Sequence, residues 1–147
     1  SPQILPPMTV TDFVRTNPDF AILTSALESA GLAESLRSEG PFTLFAPTDK
    51  AFMKLLESLK ITAEDLLGHP QLADVLLNPV VAGHLLSTDL RDGMTEKNLL
   101  GQGIRVNLDD GVKINEPFVT LTDNIVFNGV IHVIDAGLLP GTVRPTP

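Results

Sequence analysis

Apolar residues recur at helical spacing through the first half of the chain and alternate with polar ones in the last third, the period changing near Thr95. In "TNPDFAILTSALESAGLAE" (16–34), Asn17 can accept the free amides of a first turn. Pro18 then stands where a missing N–H costs nothing. Phe20, Leu23, Leu27 and Ala30 share one face of the predicted helix, and Gly31 supplies a left-handed stop. The same logic predicts a helix in "TDKAFMKLLESLK" (48–60), capped by Thr48, with Asp49 in its positive first turn and Phe52, Leu55, Leu56 and Leu59 facing inward. A shorter helix, "ITAEDLLG", is capped by Thr62 and closed by Gly68. "PQLADVLLNPVVAGHLL" (70–86) is too apolar for a loop, and Pro79 cannot continue a helix, so two short helices meeting at Asn78 are expected.

Beyond Thr95, "GIRVNLDDGVKIN" alternates around the hairpin signal "DDG", and "FVTLT" and "IVFNGVIHVID" are rich in β-branched residues. An antiparallel C-terminal sheet is expected, with "GQG" (101–103) as a turn between strands. Helices that precede strands without regular alternation place the chain in the α+β class. Upstream, "FTLF" (42–45) reads as a strand with two buried faces. Pro47 then turns the chain out of the strand, and Thr48 begins the next helix.

Composition narrows the function classes. A 147-residue chain fits one domain with a continuous apolar core, and a formal charge of -8 repels nucleic acid and anionic lipid. The absence of Cys removes disulfides and thiolate chemistry. Apolar runs break well short of the roughly twenty residues that span a bilayer, so no transmembrane segment is expected. The start, "SPQILPPM", lacks the pattern of an export signal.

Two segments, "TLFAPTDKAF" and "NGVIHVIDAGLLP" (128–140), resemble the paired signature segments of the fasciclin domain, an extracellular adhesion module. The likeness runs from about Thr9 to Pro140 and includes "NPDFAILTSALESAGL" and "GPFTLFAP" in that family's order. The resemblance implies an α+β fold in which a layer of helices packs on a wedge of two small β-sheets, about seven strands in all. Residues 1–8 are then an N-terminal extension, 9–140 the domain and 141–147 a linker or tail. It also implies a secreted, periplasmic or cell-surface location, a protein or matrix partner, and a monomeric isolated domain. The family carries a Tyr-His pair tied in some animal members to integrin engagement. The matching positions here are Gly83 and His84, the chain has no Tyr, and "RDG" (91–93) is not the adhesive order, so integrin binding is not carried over.

Candidate chemistry is sparse. His69, His84 and His132 have no His or Cys at ligand spacing, so neither a metal nor a cofactor is expected. No Ser sits on a nucleophile elbow, and the neighbouring carboxylates Asp109–Asp110 and Glu64–Asp65 lie where a hairpin and a helix start favour acids. No catalytic residue is assigned. Thr48, Asp49, His84, Asn128 and His132 are expected to form a structural hydrogen-bond network, His132 as a buried neutral imidazole flanked by Val130 and Ile134. Leu90, Arg91, Asp92 and Met94 are the candidate partner contacts, in what reads as a surface loop. The function expected is a bacterial, non-enzymatic adhesion module. The alternatives are a carrier with an apolar pocket between sheets and helices, and a hydrolase assembled from distant residues.

Overall fold

The computed structural model describes residues 3–4, 8–37, 40–115 and 117–136. After β1 (Gln3–Ile4) comes α1 (Val10–Thr16), a helix that the periodicity above does not contain. Its start is a capping box: Thr9 accepts from the Asp12 amide, and Asp12 accepts from the Thr9 amide. Asn17 caps a single 3-10 turn, Pro18–Phe20, which runs into α2 (Ala21–Ser29). That helix buries Leu23, Ala26 and Leu27, and Gly31 follows with φ +73°.

The strand β2 (Phe42–Pro47) leads into α3 (Asp49–Leu59), whose Thr48 cap and buried Phe52, Leu55, Leu56 and Leu59 lie as the sequence indicates. The short helices α4 (Ala63–Leu67) and α5 (Leu72–Leu77) follow. The second helix expected after Asn78 is instead a strand, β3 (Val80–Ala82), paired antiparallel with β2. The physical reason lies in Val80 and Val81, whose branched side chains favour a pleat, and in the buried Pro79 carbonyl, which accepts the Phe45 amide. A 3-10 turn, Ser87–Asp89, precedes β4 (Thr95–Lys97), β5 (Gly103–Asn107), β6 (Lys113–Ile114), β7 (Val119–Val126) and β8 (Gly129–Ile134).

These strands form a five-stranded sheet in the order β1-β7-β8-β2-β3 and a three-stranded sheet β4-β5-β6. The second is antiparallel throughout, as is β7 with β8. The expectation of a wholly antiparallel C-terminal sheet fails at β8, which runs parallel to β2 from Phe42↔Gly129 to Pro47↔Ile134. β1 is likewise parallel to β7, so Gln3 and Ile4 of the 1–8 extension belong to the sheet.

Because β2 and β8 are central, both faces are covered and nearly every residue is buried. One face turns Leu44, Ala46, Ile131 and Val133 toward the helices. The other turns Phe45 and Ile134 toward Ile104, Val106 and Ile114 of the small sheet. Two cores therefore share one pair of strands. At the seam between the sheets the buried Asn98 donates to the Asn78 carbonyl and amide oxygens at 3.0 and 2.7 Å, and an isolated Val81↔Asn98 bridge joins the sheets.

Candidate functional site

The described parts of the two signature segments lie side by side along β2 and β8, and Thr48, Asp49, Asn128 and His132 bond within the scaffold. Thr48 Oγ1 accepts from the Ala51 amide at 3.2 Å. Asp49 reaches past its own helix, and its Oδ1 accepts from the Ile22 amide at 2.8 Å, fixing α2 against α3. On the neighbouring strand pair, Asn128 sits in the β7–β8 turn with 3% exposure. Its Oδ1 takes the Val10 amide at 2.8 Å and its Nδ2 donates to the Leu36 carbonyl at 2.8 Å. Gly129 follows because nothing larger fits: a Cβ there would stand 2.0 Å from the Phe42 carbonyl oxygen.

His132 is fully buried and stacks on Phe45 with ring centroids 5.5 Å apart. Its Nδ1 accepts from the Asp123 amide at 3.1 Å, which leaves Nε2 to carry the proton and donate to the Leu85 carbonyl at 2.6 Å. Burial pushes the imidazole below its ordinary pKa, against the opposing pull of the Leu85 carbonyl and the Asp123 charge. Asp123 occupies a left-handed conformation, φ +61°, at an irregularity in β7, which swings its carboxylate toward Ser87. It accepts from both the Ser87 amide and the Ser87 hydroxyl. Burial raises the Asp123 pKa, but the Ser87 bonds and His132 outweigh it, and the net shift is downward.

Ser87, Asp123 and His132 have triad composition without triad geometry. The carboxylate holds the serine directly, and neither imidazole nitrogen is free to take the hydroxyl proton. Ser87 and Asp123 are absent from the expected network. Their contact spans 36 residues, and no local spacing announces it.

Two expectations need correction. His84, expected inside the domain, is exposed and makes no side-chain hydrogen bond among the described residues. Thr43 accounts for this: its hydroxyl donates to the Gly83 carbonyl and accepts from the Leu85 amide, so these backbone groups face inward and the residue between them faces out. Leu90, expected at a contact surface, is 7% exposed and packs with Ile104, Val106 and Ile114, and Met94 lies against the same cluster. Apolar residues here close the small sheet's inner face. Arg91 and Asp92 are exposed, Asp92 accepting from the Leu108 amide at 2.8 Å.

Open clefts of about 200–310 Å³ indent the surface, one of about 290 Å³ beside Asp19, Thr48, Asp49 and Lys50 and one of about 310 Å³ beside Phe13, Thr16 and Pro18. A half-open cleft of about 270 Å³ lies between α1, α2 and the Ser35–Arg37 turn, lined by Thr11, Val14, Leu27 and Ala33 with Arg15 and Arg37 at its sides. In the helix–sheet seam, between Leu23, Phe52, Leu76 and Pro79, the space is about 10 Å³. Outside the cores, Phe127 stands 78% exposed at the β7–β8 turn, Met53 is 59% exposed on α3 and Leu121 51% on β7. No cluster of three His, Asp or Glu side chains able to hold a metal occurs among the described residues, and no described helix is long and apolar enough to cross a membrane.

The family profile for the fasciclin domain matches residues 18–140. The chain is 37% identical over 137 residues to protein sll1483 of Synechocystis, covering 90% of this chain and 74% of that protein. It is 34% identical over 145 residues to the transforming growth factor-beta-induced protein ig-h3 of Sus scrofa, covering 97% of this chain and 21% of that protein. It thus spans about a fifth of that animal relative's length. Among solved structures, a FAS1 domain pair from the insect cell adhesion molecule fasciclin I superposes with a TM-score of 0.75 at 22% identity. That match covers 92% of this chain and 52% of the pair, and it shows the fold.

Proposed function

Because the chain belongs to the fasciclin domain family, we propose that it is a non-catalytic adhesion module that holds a protein or matrix surface outside the cytoplasm. It would act in secreted, periplasmic or cell-surface form, and the likeness to the Synechocystis protein supports a bacterial setting. One observation carries the non-catalytic part: no buried side-chain nitrogen or oxygen among the described residues lacks a partner within the domain. The buried groups that could activate a reactant are thus committed to holding strand, helix and turn together. The size of the helix–sheet void weighs against a carrier, since about 10 Å³ is at the lower limit for one water molecule.

The contact face centres on Phe127. An aromatic ring left outside at the tip of a turn forgoes about 1.5–3 kcal/mol of burial, and aromatic anchors dominate protein interfaces. Arg91, exposed after the Ser87–Asp89 turn, is a separate cationic candidate outside that turn. Beads coated with the domain should bind one another or cell-envelope fragments, and Phe127→Ser should weaken capture about tenfold without lowering the unfolding midpoint. Capture that is unchanged by the substitution, or wild-type beads that stay inert from low to high salt, would overturn this assignment.

A further inference from the structure

The segment from Gly83 to Asp89 leaves the edge strand β3 and runs across β2, β8 and β7 of the five-stranded sheet, held there by three latches. Thr43 of β2 grips Gly83 and Leu85 through bonds of 2.8 Å that do not titrate. His132 of β8 grips the Leu85 carbonyl, and Asp123 of β7 grips Ser87 through its amide at 2.7 Å and through its hydroxyl. The last two latches are themselves joined, since the Asp123 amide donates to His132 Nδ1. His132 is buried on all sides, so this arrangement exists in one protonation state only.

We propose that His132 is an acid-operated latch: its protonation releases the Leu86–Asp89 segment from the sheet while Thr43, still bonded to Gly83 and the Leu85 amide, holds the hinge end and the two cores stay packed. A proton can enter only at Nδ1, the acceptor position. The resulting N–H would then face the Asp123 amide, donor against donor, at a side chain with no solvent exposure. Relief requires the imidazolium to leave Phe45 and Leu85 for solvent, which removes the Leu85 latch and frees the Asp123 backbone. The left-handed Asp123 conformation is sustained by those bonds, so the Ser87 grip loosens in the same step.

Charged and titratable groups near the latch come from two elements. Asp123 on β7 favours the imidazolium and exposed His84 on the segment itself opposes it. Phe45 of β2, the ring stacked on His132, brings no charge. Within the segment, Asp89 accepts the Leu86 amide at 2.9 Å, closing the 3-10 turn so that it can move as a unit. Asp123 keeps its charge throughout the interval in which the histidine titrates, because its own pKa lies below 3.8.

The sign follows from linkage. The closed state holds His132 below its ordinary 6.5, while in the open state the ring is in water, so opening takes up a proton and is favoured as the pH falls below 6.5. Amide exchange of Ser87 and Asp123, corrected for the intrinsic pH dependence, should accelerate up to about thirtyfold between pH 7.5 and 5. The β2 and β8 amides of Leu44 and Ile131 should keep their protection over the same range. His84→Ala should leave the response in place, and His132→Gln, whose amide can accept and donate but not titrate, should abolish it. Where His132→Gln does not fold, ring NMR of the wild type decides: the His132 midpoint must coincide with the exchange step. Protection at Ser87 and Asp123 that is flat to pH 5, or lost only together with Leu44 and Ile131, overturns the latch.

Discussion

Residue positions differ sharply in how much they hold together, and hydrogen-bond reach decides the order. Thr48 serves one local amide, so Thr48→Ala should cost about 1 kcal/mol. Asn128 joins three regions remote in sequence, and truncating it strands the Val10 amide and the Leu36 carbonyl in the interior. Asn128→Ala should therefore cost about 2–4 kcal/mol by denaturant titration. Equal losses for the two would contradict this account of the turn. The sequence alone identifies Thr48 as a cap because capping is local. It cannot show that Asp49 serves Ile22, that Asp123 grips Ser87, or that His84 faces out, because those outcomes depend on strand registers set tens of residues away.

Among the elements, helices with a cap and a clear apolar face were legible. α3 and α4 start at Thr48 and Thr62, and α2 is entered through the turn capped by Asn17. The shorter α1 has the same capping-box logic in Thr9 and Asp12, with Val10 and Val14 one turn apart and fully buried, so its signal was present in "TVTD". β3 was not legible, because three apolar residues after a proline suit either period and only the vacant edge of β2 selects the strand. One helix end is improvable. α3 closes on Lys60 at φ +58°, with the Ile61 amide returning to the Leu56 carbonyl, a stop that favours glycine. Lys60→Gly should stabilise the domain by about 0.5–1 kcal/mol, read as a higher denaturant midpoint at unchanged slope. A lower midpoint would mean that the Lys60 stem contributes more than its backbone strain costs.

In the whole molecule, two cores share the β2–β8 pair, and a sequence pattern cannot reveal which face of a fully buried strand meets which layer. The resemblance to the fasciclin domain supplied the wedge where periodicity could not. The pH response comes from one group on the shared strands, His132, together with carboxylates on α1, α4 and β7. His132, Asp12, Asp65 and Asp123 all have folded-state pKa values below their ordinary ones. For His132 burial is the main cause, and for Asp12 and Asp65 it is the amides of Thr9 and Thr62. The unfolded chain therefore binds more protons in acid. Stability should hold steady above about pH 6.5, decline below it as the unfolded His132 protonates, and fall more steeply below about pH 4. A stability that rises on acidification from pH 7 to 5 would reverse the sign and refute the buried neutral histidine.

In the proposed adhesion module the signature segments serve as scaffold and the partner is met elsewhere. Capture by domain-coated beads, normalised to folded protein and compared among wild type, Thr48→Ala and Phe127→Ser, tests it most directly. Thr48→Ala should match the wild type per folded molecule while Phe127→Ser falls about tenfold. A loss confined to Thr48→Ala, with Phe127→Ser intact, would contradict it.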